Sequence, residues 1–300
     1  MEVNRRLSNV LLITAVLVAS GALVSAVWRY ASPDISANPT ADPLVYIDTL
    51  LGPVGAVTIL PAKSGDPPGY VRISPPKVPD GPRRVGIQAG HWMTENVPPE
   101  LQRLEDQTGA SWDGMNEVDI NLDIAQRVAT LLRSKGLAVD VLPTTIPAGY
   151  VADAVVALHA DSDGVGDNSG FKMAHSTRRS PYEDQLMNDV KDEYAAATGL
   201  DYDEGHVTRS MTQYYLFAWN RFRSSTSPFT PSVILEMGYL SNDSDRALMT
   251  DQADIVATGV ANGILRFLGE VPSTSIFGKD LVLPPTRAFP IPTQTATPKP

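Results

Sequence analysis

VADAVVAL, residues 151–158, decides how this chain folds. It is a nearly continuous apolar run of the kind that is buried on both faces in a parallel sheet. Working outward, short apolar strands recur. RVGIQ at 84–88 is one, 137–142 is the next, 171–174 is another, and SVIL at 232–235 is a further buried strand. Between them the apolar period changes from strand to helix. From about 116 to 135, Ile120, Ile124, Val128 and Leu131 repeat at helical spacing, and Gly136 supplies a C-terminal stop. An acidic helix is expected at 181–198, and a closing helix at 251–268 with Ile255, Val260, Ile264 and Phe267 on its apolar face. This alternation predicts the α/β class, a single domain with a largely parallel, twisted sheet flanked by helices.

That domain is expected at 83–270. The segment 30–82 is rich in proline, glycine and aspartate and reads as a spacer, with the apolar patch 54–60 as a short strand or minor extra element. The segment 271–300 reads as a proline- and threonine-rich disordered tail, since proline removes the backbone donors that a helix or central strand needs. At the other end, Arg5 and Arg6 precede an uncharged apolar run at 7–28, about 33 Å long as a helix at 1.5 Å per residue and sufficient to cross a bilayer core. Residues 1–29 are therefore expected to be a signal anchor or a signal peptide, with Val24, Ser25 and Ala26 suited to cleavage. The basic residues before the run predict export of everything after it, either as a single-pass membrane protein or secreted to the cell wall.

A formal charge of −10 argues against nucleic acid and anionic lipid as partners, because both are repelled at long range. The apolar N-terminal run is the membrane contact, and a monomer is expected. With no cysteine, any metal must be held by nitrogen and oxygen.

In open α/β sheets ligands bind outside the carboxyl ends of the strands. His91 lies just past the first strand, His159 directly follows VADAVVAL, and Glu236 directly follows SVIL. Glu117 opens the long helix that returns across the sheet from the same edge. Two imidazoles and a carboxylate form a zinc ligand set that leaves a position for water, whose pKa the metal lowers towards about 7. A further carboxylate is then needed to take the proton and pass it to the leaving group, and Glu236 is the candidate. Glu95, four residues after His91, rivals Glu117 if that loop is helical. His175 and His206 are read as non-ligands. DSDGVGDNSG at 161–170 suggests a calcium loop, but Val165 stands where an oxygen ligand is required, so it reads as a glycine-rich turn.

Four segments in order, VGIQAGH at 85–91, NEVDINLDIAQRVATLLRSKGLAVDVL at 116–142, ADAVVALHAD at 152–161 and PSVILEMGYLSN at 231–242, resemble one family. It is the zinc-dependent N-acetylmuramoyl-L-alanine amidase family, whose type 3 catalytic domain carries AGH, SIHAN and LVELGFLSN signatures. The resemblance spans essentially the whole core. It implies a Zn2+ cofactor, a peptidoglycan substrate, and cleavage of the amide between the lactyl group of N-acetylmuramic acid and L-alanine of the stem peptide. By residue, it implies His91, Glu117 and His159 as metal ligands and Glu236 as the catalytic glutamate.

The chain departs from the pattern at two places. Trp92 and Met93 replace a glycine pair, which reshapes the mouth of the site, and Asp161 replaces an asparagine. The latter sets a carboxylate near the metal, as an outer acceptor for a ligand histidine or as a disturbance of the local charge. Two other readings stay open, a non-catalytic wall-binding module and a zinc peptidase or carboxypeptidase cutting within the stem peptide. An inhibitory helix between 181 and 224 is conceivable, although no residue argues for it.

Overall fold

The eight residues Ala154–Asp161 form the middle strand of a five-stranded sheet, and all but Asp161 are buried. A strand hydrogen-bonded on both edges and covered on both faces has no use for polar side chains, which is why VVAL can run without alternation. The computed structural model describes residues 58–283 apart from 79, 177–179 and 220. The expected anchor at 1–29, the first part of the spacer and residues 284–300 lie outside the described residues. Among the described residues, no helix is long and apolar enough to cross a membrane.

In chain order the strands and helices are β1 (Thr58–Leu60), β2 (Val71–Ser74), β3 (Arg84–Ala89), the hairpin β4 (Ser111–Trp112) and β5 (Met115–Asn116), α1 (Glu117–Ser134), β6 (Ala138–Leu142) and β7 (Ala154–Asp161). They continue as β8 (Lys172–His175), α2 (Glu183–Thr198), the single turn α3 (Arg209–Thr212), β9 (Ser232–Tyr239), α4 (Asp243–Thr250), α5 (Ala253–Glu270), α6 (Ser273–Phe277) and β10 (Leu281–Leu283). The main sheet has the order β6-β3-β7-β9-β8, parallel except for the antiparallel edge strand β8. The chain leaves β3 towards β6 and returns on the other side to β7. The carboxyl ends of β3 and β7 therefore flank the point where the strand order reverses, the place where such sheets form a crevice.

One face of the sheet packs on α1, α2 and α5. Val85, Ile87, Val156, Leu158, Val233 and Leu235 meet Ile120, Ile124, Val128, Val190, Val256 and Val260 in one core. The helical stripes drift by one residue from the sequence reading. Leu132 and Val256 are buried, whereas Leu131 and Ile255 are exposed, because a straight helix advances 3.6 residues per turn and the core selects whichever position completes the stripe. The other face carries Val155, Ala157 and Ile234 and is covered by Met211, Leu216 and Phe217 from an irregular stretch before β9.

Other sequence boundaries also change. The tail expected from 271 begins with α6, and β10 pairs with β2, which pairs in turn with β1 in a separate antiparallel sheet. Arg72 bridges Asp66 and Asp280, so the segments read as spacer and tail hold each other. Three-residue strands carry too little periodicity to be seen alone, and their pairing is entirely long-range. The sequence reading also lacks the helix α4, whose N-cap Asn242 accepts hydrogen bonds from Ser244 and Asp245 N–H.

Candidate functional site

Because β7 and β9 run two or more residues further than their apolar cores, His159 and Glu236 lie inside these strands and not after them. They are register partners across the parallel pair, and Glu236 is in turn the partner of Lys172 on β8. The three side chains thus occupy one row on one face of the sheet, on the side of Ala157 and Ile234. Beyond His159 and Glu236 the register shifts by one residue, since Asp161 pairs with Tyr239, and this bulge ends the ladder beside the site.

Glu117 opens α1, and its carboxylate joins the two histidines. Its Oε1 lies 2.8 Å from His159 Nδ1 and 3.5 Å from His91 Nε2. Asn121 Nδ2, one turn on, donates to the same oxygen at 3.2 Å, and Ala110 N–H donates to Oε2 at 2.8 Å. Among the described residues, His91, Glu117 and His159 each bring a donor atom within 4.8 Å of the other two. Glu95 is exposed in a non-helical loop and takes no part in this group.

The long loop between His91 and Glu117 wraps this group. Gln107 O lies 3.3 Å from His91 Nδ1, which leaves Nε2 turned inward, and Thr94 Oγ1 donates to the same carbonyl. Gly109 lies so close to Glu117 and His91 that a Cβ there would overlap the carboxylate, and Gly90 lies in the same way under the His159 ring. His91 at φ 62° and Met93 at φ 56° both adopt left-handed backbone, which glycine would take without strain. Trp92 is half-buried against the core and its carbonyl accepts from Thr144 N–H, so the replacement of a glycine pair is held by packing.

The electrostatics follow from burial and proximity. Burial raises the Glu117 pKa, but the His159 and His91 rings and the Ala110 N–H outweigh it and hold the carboxyl at about 2. Burial and the neighbouring His159 depress His91, with Glu117 opposing, whereas for His159 the Glu117 carboxylate overcomes burial and raises the pKa. Glu236 behaves oppositely to Glu117. Burial pushes it up to about 7, with Glu117 adding to the rise and His159 and Lys172 opposing it. Two carboxylates in one pocket are thereby split into a permanent anion and a group that exchanges a proton near neutrality.

The donor set is chemically suited to a divalent ion. Two imidazoles and a carboxylate, with each ring's outer nitrogen already beside an oxygen, match the nitrogen and oxygen preference of zinc, and the glycines leave no Cβ in the way. The family model described as N-acetylmuramoyl-L-alanine amidase matches residues 85–266, from β3 into α5. The chain belongs to this amidase family.

Among solved structures it is similar to the N-acetylmuramoyl-L-alanine amidase AmiC2 of Nostoc punctiforme, at 21% identity over 62% of this chain and 97% of that one, with a TM-score of 0.44. It is also similar to the amidase Ami1 of Mycobacterium smegmatis (20% identity, 64% and 99% covered, TM-score 0.45). A third is the CwlD amidase of Clostridioides difficile in complex with the GerS lipoprotein (17%, 63% and 100%, TM-score 0.46). Comparison with curated proteins gives no match.

Where this amidase departs from the asparagine of its family's pattern, Asp161 does not reach a histidine. Its Oδ2 pairs with Lys172 Nζ, its Oδ1 accepts from Ser162 N–H, and Lys172 lies over the Tyr239 ring at 4.7 Å. The sequence reading assigned no role to Lys172, which is only 2% exposed. A lysine inside a short apolar strand was the available signal. The glycine-rich turn closes on itself as expected: Asp163 accepts from the backbone N–H groups of Val165, Gly166, Asp167 and Asn168 and from Ser241 Oγ. His175 pairs with Asp184 and His206 with Asp203, both apart from the group of His91, Glu117 and His159. Nor does the acidic helix reach the site. As α2 it packs on α5, where Arg266 pairs with Asp189.

Proposed function

We propose that this family member is a zinc-dependent amidase that hydrolyses the bond between the lactyl group of N-acetylmuramic acid and L-alanine in peptidoglycan. The observation that carries the reading is the convergence of His91, Glu117 and His159, with Glu236 in register beside His159. The two imidazoles and the Glu117 carboxylate would hold the zinc, which supplies an electrophile for the amide carbonyl and acidifies water. Asn121 and Ala110 keep the Glu117 carboxylate aimed at the histidines. Glu236, with a pKa pushed up to about 7, accepts a proton from the attacking water and returns it to the leaving nitrogen. The protein acts outside the membrane as a monomer, anchored by its N-terminal run or released by cleavage after it.

The test is digestion of purified peptidoglycan followed by mass analysis of the products. Free stem peptides beginning with L-alanine are expected. Cuts within the stem peptide, or an intact wall in the presence of bound zinc, would overturn the reading.

A further inference from the structure

A chain of hydrogen bonds that starts on β3 runs through Tyr214 to the His159 ring. Gln88 is fully buried, and its Nε2 lies 3.3 Å from Pro143 O, 3.3 Å from Thr144 O and 2.7 Å from Tyr215 Oη. Carbonyl oxygens only accept, so the amide nitrogen must face them and Oε1 must point the other way. The Tyr215 hydroxyl donates to Thr144 O at 2.6 Å, which leaves its oxygen to accept from Gln88.

On the far side of the amide, Tyr214 Oη lies 3.0 Å from Gln88 Oε1 and therefore spends its one proton there. Its lone pairs are then what it offers to His159 Nε2, 2.9 Å away. Nε2 must carry the hydrogen, and the lone pair available for a metal is on Nδ1. Nδ1 is the atom 2.8 Å from Glu117 Oε1.

We infer that Gln88 and Tyr214 form a fixed relay that commits His159 to binding metal through Nδ1, which makes Tyr214 a positioning residue for the centre. This rests on the metal-centre reading above. The relay is rigid because its parts are pinned from several directions. Tyr214 packs against the tilted ring of Tyr215, 4.6 Å between ring centres, and Met211, Leu216 and Phe217 bury the stretch that carries it against the sheet. Glu100 accepts from the backbone N–H groups of Arg223 and Ser224 and ties down the return of that stretch towards β9.

The experiment uses full-length protein with 15N-labelled histidine, loaded with zinc, as wild type, Tyr214→Phe and Gln88→Met. Nitrogen–proton correlation spectra of wild type are expected to place the His159 proton on Nε2, shielded from exchange, with Nδ1 bound to metal. In Tyr214→Phe that proton exchanges freely, and zinc affinity in chelator competition falls by about tenfold or more. Gln88→Met, which keeps the tyrosine but frees its proton to point at Nε2, weakens zinc similarly. A proton on Nδ1 with metal on Nε2, or unchanged zinc affinity in Tyr214→Phe, overturns the relay. If wild type takes up no zinc, the metal-centre reading itself fails; the relay is then read in metal-free protein, where an Nε2 proton no better shielded than in Tyr214→Phe overturns it.

Discussion

Lys172 and Asp161 form an ion pair across the end of the sheet, with the lysine nitrogen buried in the row that also holds Glu236. Asp161 is one-third exposed, so the pair draws water on one side and the catalytic candidate on the other. A buried cation beside Glu236 restrains the upward shift that burial imposes on that carboxyl.

Removing one partner of this pair leaves the other charge uncompensated. Lys172→Met is expected to lose up to about 3 kcal/mol of stability, the low end of the range for breaking a buried pair, because Asp161 keeps some solvent. Combining it with Asp161→Asn recovers part of the loss. Urea denaturation of the two single variants and the double variant measures the coupling, and strict additivity would show that the pair contributes nothing.

Glu236→Ala removes the proposed proton carrier without touching the three converging donors. Turnover of peptidoglycan is expected to fall by about 10²- to 10⁴-fold while zinc stoichiometry is retained. His159→Ala is expected to lose both. Metal analysis on the same samples used for the assay separates the two, and full activity of purified Glu236→Ala would sink the assigned role.

Gly90→Ala tests how tightly the His159 ring is seated. The added methyl would overlap the ring, so the imidazole must move by an appreciable fraction of an ångström or more. Displacement on that scale is expected to lower activity by about 10²-fold and zinc affinity by about tenfold, with the far-UV spectrum unchanged. Wild-type affinity in this variant would mean that the backbone yields instead.

Asp189 gives a pH dependence away from the site. Burial, helped by Glu270 and opposed by Arg266, raises its pKa to about 6, and its Oδ2 has no donor among the described residues. Since the folded value exceeds the unfolded one, the protonated form favours folding below about pH 4. That contribution is lost as pH rises through 6. Asp189→Asn is therefore expected to melt roughly 2–4 °C above wild type at pH 8, with the gap shrinking towards pH 4. A gap independent of pH would rule out Asp189 as its source.

The fold class and the edge on which the site is built were legible in the sequence because both rest on local regularities. An apolar run as short as 151–158 suits a strand covered on both faces better than a helix, and its residues 154–158 are one, while helical spacing in 117–134 fixes what connects β3 to β6. Once parallel strands alternate with helices, polar residues at the strand ends gather at one edge, and that is where His91, Glu117, His159 and Glu236 lie.

What sequence could not supply is anything that depends on partners distant in the chain. The pairing of β10 with β2, the burial of Lys172 opposite Asp161, and the grip of residues 107–110 on His91 and Glu117 have no local period to betray them. The relay from Gln88 through Tyr214 to His159 is the clearest case. Positions 88, 159 and 214 become neighbours only when β3 and β7 lie side by side and the stretch before β9 folds over them. The sequence determined which chemical groups meet at the sheet edge, because strand and helix periods are short-range. Tertiary packing alone decided which atom of each group faces the others, because that choice is made by hydrogen-bond partners many residues away.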